Sequence, residues 1–233
     1  MGKKIILLVF IWVTTNSYSQ LHEVGLSLGG SNYMGDIGSS TFIRPNAPAL
    51  GLLYKYNRNP RTSYRVSLTR MKIIADYTES KNEIKQQFNT PVNKTITELT
   101  AGIDFNFFPY EISHWKKGHT PYLIFELAAF HYNKAVSKND KLSYEPQIGF
   151  ALPFGVGYKA QVLDHLVIGL ETRIRYSFTD DLDDSQYYKE NTLKDHPENS
   201  KFGNPENNDW YVFTGITVTY TFGRALSYTT QRN

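Results

Sequence analysis

The 233-residue chain has no cysteine, a formal net charge of +3, a 40% hydrophobic fraction and a heavy load of aromatics, with 17 Tyr, 14 Phe and 3 Trp. That length suits a single all-β domain. The missing cysteine argues against a disulfide framework and an acylated lipoprotein, the near-neutral charge gives no basis for nucleic-acid binding, and beyond the N-terminus no apolar run reaches the about 20 residues of a membrane helix.

The N-terminus reads as an export signal. Lys3 and Lys4 form a positive start, Ile5 to Val13 is an apolar run too short to span a bilayer, and Ser17-Tyr18-Ser19 puts small residues where a signal peptidase reads. Cleavage is expected between Ser19 and Gln20, so residues 1–19 are a signal peptide and 20–233 the exported domain. An exported chain that enters lipid without helices has to close as a barrel, because lipid satisfies no backbone polar group.

Strands follow, recognised by period-two alternation. The first two, Leu21 to Asn32 and Ala47 to Tyr56, put Glu23 and Lys55 on their polar faces. The third, Arg61 to Ile74, does the same with Arg65 but carries Arg70 among its apolar residues, which predicts a position at a membrane rim or a bulge. The fourth, Thr95 to Phe108, sets Leu99, Ala101, Ile103, Phe105 and Phe107 against Glu98, Thr100, Gly102, Asp104 and Asn106. In the fifth, Tyr122 to His131, Leu123, Phe125, Leu127 and Ala129 oppose Tyr122, Ile124, Glu126, Ala128 and Phe130. The sixth, Gln147 to Lys159, alternates large apolar residues with Gly149, Ala151, Pro153, Gly155, Gly157 and Lys159. Small residues suit the inside of a narrow barrel, and Pro153, which has no N–H, predicts a bulge. The seventh, His165 to Phe178, is the clearest: Leu166, Ile168, Leu170, Ile174, Tyr176 and Phe178 oppose Val167, Gly169, Glu171, Arg173, Arg175 and Ser177. The eighth, Asp209 to Phe222, ends in Tyr220 and Phe222 on the face of Val212, Ile216 and Val218.

Alternation alone fits a soluble sandwich as well, with the charges in water. Loop lengths separate the two. The connections Tyr33–Asn46, Ala75–Lys94, Tyr132–Glu145 and Thr179–Asn208 are long, whereas Asn57–Pro60, Pro109–Thr120 and Gln161–Asp164 between them are shorter. Outer-membrane barrels sort their connections in this way, with the short ones in the periplasm. Tyr54, Tyr56, Phe107, Tyr110, Tyr158 and Tyr220 fall near that end, as an aromatic girdle requires. The expected fold is an all-β, eight-stranded antiparallel transmembrane β-barrel with a filled lumen.

The inward positions are Glu23, Lys55, Arg65, Glu98, Asp104, Glu126, Lys159, Glu171, Arg173 and Arg175. Acids and bases balance there, so they are expected to pair into a salt-bridge plug, since an unpaired buried charge is costly. A proton or ion path is the functional alternative. Catalysis needs a nucleophile and base at a rim; His131 with Ser137 or Ser143 is the candidate, with no orienting acid placed by the sequence. No cofactor or metal motif is present. Asp180-Asp181-Leu182-Asp183-Asp184 packs four carboxylates into five residues. It lacks the glycine and spaced glutamate of a calcium loop. It reads either as a solvated acidic turn or as a motif that caps the barrel or binds a partner.

Several segments carry a family resemblance: Tyr33-Met34-Gly35-Asp36-Ile37, Pro121-Tyr122, Pro153-Phe154-Gly155-Val156-Gly157-Tyr158, the run from Arg175 through Thr179 to Asp184, and Asn208 to Gly215 leading into Tyr220-Thr221-Phe222-Gly223-Arg224. In order and spacing the chain resembles the PorG-like outer-membrane barrels, long filed as a domain of unknown function. Asp181 stands where that family usually has an aromatic. The resemblance implies an accessory component of the type IX secretion system, involved in protein transport and associated with its periplasmic ring of PorK and PorN. It also marks Gly35, Asp36, Thr179, Asp180, Asp181, Asp183 and Asp184 as a motif loop. The connection with His114, Trp115, Lys116 and Lys117 is the largest periplasmic surface, and suits either ring contact or the lipid interface. Three readings stand: a non-enzymatic anchoring barrel in the outer membrane, a small pore or transport barrel, and a rim hydrolase acting on lipid A.

Overall fold

The computed structural model describes residues 21–34, 43–75, 92–111, 117–138, 141–179, 182 and 209–223. The expected signal peptide lies outside them. Eight strands run β1 (Leu21–Met34), β2 (Ala47–Asn59), β3 (Thr62–Ala75), β4 (Val92–Asn106), β5 (His119–Lys138), β6 (Lys141–Leu163), β7 (Leu166–Ser177) and β8 (Trp210–Gly223). Each is antiparallel to its sequence neighbours, and β1 pairs with β8 from Leu21↔Gly223 to Met34↔Trp210, so the sheet closes. Closure leaves no unpaired ladder edge.

The strands are staggered. Partners followed round the wall from Tyr158 of β6 pass Leu170, Ile216, Leu28, Leu50, Arg70, Thr97 and His131, and return to β6 at Ile148, ten residues from the start. Such a shear tilts the strands and leaves an interior that side chains can fill. The ladder stays in register along every strand body and shifts at two short turns, between Asn57 and Asn59 and between Gln161 and Leu163. At the first, Asn59 Oδ1 accepts from the N–H groups of Arg61 (2.9 Å) and Thr62 (2.7 Å), which folds the turn locally.

Two expectations change, and an alternative left open for Arg70 is settled. Tyr132–Glu145 is not a loop: β5 and β6 remain paired from Tyr132↔Gln147 to Lys138↔Lys141 as one long hairpin. Its polar composition hid it, because beyond the apolar band both faces can be polar. Pro153 makes no bulge. Register is the same on both sides of it, and only the pairing to β5 lapses, between Phe125↔Phe154 and Ala128↔Ala151, where an N–H is missing. Nor does Arg70 sit at a bulge; β3 alternates strictly, and Arg70 points outward beyond Tyr64, Val66 and Leu68.

Candidate functional site

The outward wall is apolar where a soluble protein is polar. Leu26, Leu52, Leu99, Leu127 and Leu170 are each at least 45% exposed, one on each of five strands. So much contiguous apolar surface cannot stay in water. At the end with the short turns this band meets an aromatic belt. His22 stacks on Phe222 (5.4 Å between centroids) and bonds Tyr54 Oη (2.8 Å). Tyr56 stacks on Tyr64, His119 bonds Tyr158 Oη (2.8 Å), and His165 lies against Tyr220. Rings that are apolar at the face and polar at the tip belong at a lipid–water boundary. At the other end Tyr176 packs on Trp210 and Phe178.

Inside, parity turns the ten ionisable side chains inward, each no more than 5% exposed. Arg65 is the hub. Its Nη1 donates to Asp104 Oδ1 (2.9 Å) and its Nη2 to Glu171 Oε2 (3.1 Å), while its Nε lies 3.2 Å from Glu126 Oε1. Lys55 Nζ sits 2.8 Å from Asp104 Oδ2 and 3.7 Å from Glu171. Tyr122 donates to Glu171 (2.6 Å), and Thr100 to Glu126 (2.7 Å). Arg173 joins Glu126 (3.2 Å) and Glu171 (3.5 Å), with its guanidinium over the Phe213 ring at 4.7 Å. Higher in the barrel Arg175 donates to Glu98 through Nε (3.0 Å) and Nη2 (2.9 Å), and Tyr211 adds a bond to the same carboxylate (2.7 Å). Charges withdrawn this far from water hold only because each carboxylate meets several donors.

Two members depart from the expected pairing. Glu23 accepts from neutral donors, Asn57 Nδ2 (2.8 Å) and the Thr219 hydroxyl (2.8 Å). Lys159 Nζ lies over the rings of Tyr110 (4.6 Å) and Tyr122 (5.1 Å), a cation–π seat in place of an ion pair. Tyr110 is therefore no girdle residue. Its N–H bonds Pro60 O (2.9 Å), and the buried ring closes the mouth at the end with the short turns. Burial first, and Glu23 second, push its phenol well above its ordinary value.

The outer mouth is closed by an apolar cluster that includes Met71, Ile96, Phe130, Tyr211 and Phe213, with Leu182 fully buried among them. Asp209 fastens this lid: its Oδ2 accepts from the Leu182 N–H (2.9 Å) and its Oδ1 from the Tyr33 hydroxyl. Thr179 is half-buried; its carbonyl accepts from the Ser177 hydroxyl (2.9 Å) and the Asp209 N–H (3.2 Å). Gly35, Asp36, Asp180, Asp181, Asp183 and Asp184 lie outside the described residues, as do His114, Trp115 and Lys116. Lys117 is exposed and pairs with Asp164 on the neighbouring turn. His131 faces out of the wall, in register with Thr97 and Ile148. Sequence reasoning missed Tyr110 and Asp209 as closing residues, while a barrel cap is one of the open readings of the run that holds Leu182. One signal was available, a single leucine inside a run of aspartates.

A family model described as a domain of unknown function, DUF6089, matches residues 2–231. No curated protein matches. Among solved structures, Ail, the attachment invasion locus protein of Yersinia pestis, in complex with the heparin analogue sucrose octasulfate, is 15% identical, with 88% of this chain and 100% of that chain covered at a TM-score of 0.48. Neisserial surface protein A is 14% identical over 88% and 98%, at 0.44. The N-terminal β-barrel domain of Pseudomonas aeruginosa OprF is 12% identical over 88% and 98%, at 0.40.

Proposed function

The chain belongs to the DUF6089 family, a domain of unknown function, and from that premise we propose that it is a sealed outer-membrane barrel that anchors a protein assembly in the periplasm and performs no catalytic step. One observation carries this reading: ten buried ionisable side chains fill the lumen, and Tyr110 and Leu182 close its two ends. Neither a solute path nor an aqueous substrate cleft fits a bore so occupied. The apolar wall and its aromatic belt support membrane insertion, with the short turns toward the periplasm.

The finer reading is an accessory component of the type IX secretion system, docking the periplasmic ring of PorK and PorN. Its support is the order and spacing of the segments quoted above, together with a periplasmic face built from the β4–β5 connection and the β6–β7 turn, which Lys117 and Asp164 tie together. The test is genetic and biochemical. Deletion should block export of proteins carrying type IX signals, and the tagged barrel should co-purify with the ring proteins, less so after Trp115→Ala with Lys116→Ala. Normal export in the deletion strain would remove the secretion role and leave the sealed barrel to another assembly.

A further inference from the structure

We propose that the outer rim of β3 to β5 is a binding site for the phosphate groups of an outer-leaflet glycolipid. This rests on the membrane orientation given above. On β3 the lipid-facing run Tyr64, Val66, Leu68 ends abruptly, and the next two outward positions are Arg70 and Lys72, both exposed. Arg70 is in register with Thr97 of β4, which is in register with His131 of β5; Lys72 is in register with Thr95. Adjacent strands lie about 4.8 Å apart and outward positions on one strand about 6.8 Å apart. The guanidinium, the ammonium and the imidazole therefore flank a shallow floor of two threonines, at a spacing that one or two phosphates can bridge.

Three features make this a site and not scattered surface charge. The outward positions toward the same end of β6, β7 and β8 are aromatic, Phe150, Tyr176 and Trp210, so the Arg70 and Lys72 pair is not continued on those three strands. Among the described residues no acidic side chain faces that sector: Glu111 and Asp164 are at the opposite rim, and Glu145 on β6 is in register with Lys134. Two cations at the edge of the hydrocarbon, with no counter-charge facing them among the described residues, lower their energy by meeting an anion fixed at that depth. Arginine can grip a phosphate through two parallel N–H bonds, and the flanking hydroxyls and imidazole can donate to its remaining oxygens. A glycolipid phosphate lies at that depth with its acyl chains already against Leu68 and Leu99, which free phosphate does not offer.

The full chain, reconstituted in phosphatidylcholine nanodiscs, is offered diphosphorylated lipid A or the same lipid stripped of phosphate, and retention is read by native mass spectrometry. Insertion is checked separately by protease protection. Wild type should retain the phosphorylated lipid about tenfold better. Arg70→Gln with Lys72→Gln should abolish that preference, while Arg58→Gln with Arg61→Gln at the opposite rim should keep it. Equal retention of both lipids by wild type, or an unchanged preference in the Arg70/Lys72 variant, would overturn the site. Competition by inorganic phosphate as effective as that by the lipid would also overturn it, assigning the cations to free anions. Failure to insert would sink the membrane reading itself, whereas insertion without preference sinks only the glycolipid site.

Discussion

Arg65 satisfies three carboxylates at once, so its loss should cost more than a surface charge. Arg65→Met leaves Asp104, Glu126 and Glu171 buried without their shared partner. We expect about 3–5 kcal/mol of destabilisation, read as a lower urea midpoint for the barrel unfolded from vesicles. The Glu98–Arg175 pair allows a sharper test. Arg175→Met alone should cost a similar amount, and adding Glu98→Gln, which keeps an acceptor for Tyr211, should recover most of it. Additive losses would mean that the pair is not the source. Tyr110 adds a pH dependence. Its phenol titrates above the ordinary value near 10, so the unfolded chain ionises first and stability falls as the pH rises past about 10. Tyr110→Phe should flatten that fall. Parity placed all ten lumen charges, because a one-residue slip would have put Glu171 and Arg173 on the apolar outer wall. Partners were another matter. Asn57 reaches Glu23 diagonally from the neighbouring strand, two positions from the register partner Lys55, and Lys159 meets the ring of Tyr110 from the β4–β5 connection, pairings that no single strand reveals.

Along a strand, the two faces answer to different solvents. Leu52 lies mid-wall on β2 and is 59% exposed; Leu52→Arg should cost about 2–4 kcal/mol near the bilayer midplane, while a charge at the rim costs about 0–1 kcal/mol. Midpoints of the two variant classes in one vesicle preparation decide it, and equal costs would count against lipid contact. On the inner face size rules. A Cβ on Gly157 would fall 2.5 Å from Tyr122 Cζ, and one on Gly149 would fall 2.4 Å from Phe130 Cζ. Gly157→Ala should displace Tyr122 from Glu171 and cost about 1–3 kcal/mol. Strand identity was legible wherever an apolar outer wall faced a polar lumen across the strand. It was not legible from Tyr132 to Glu145, where polar residues interrupt the alternation although the two strands stay paired and Tyr132 and Ala135 are buried. Pro153 misled for a related reason: β6 gives up one hydrogen bond to β5 and keeps register with both neighbours.

At the scale of the molecule, an ionic core between two stoppers makes a rod, not a duct. Planar bilayers carrying the reconstituted chain should show no unitary conductance, and Tyr110→Ala should not open one, because the Arg65 network fills the bore above it. Stepwise currents would refute the sealed reading. The count of eight alternating strands made the closed barrel legible in the sequence. The stoppers were only partly so: a cap is one open reading of the run holding Leu182 and Tyr110 reads as a girdle residue, since a connection's sequence does not say whether it folds over a mouth or away from it.

The bonding of β1 to β8 also has a consequence for biogenesis. These two strands stand at opposite ends of the folded sequence, yet each completes the other's backbone hydrogen bonds. Every partial product of synthesis is thus an open ribbon with two raw margins that hydrocarbon cannot solvate. Ring formation has to be the last event of assembly, so a chain truncated before Trp210 would be a substrate for periplasmic proteases and not a smaller barrel.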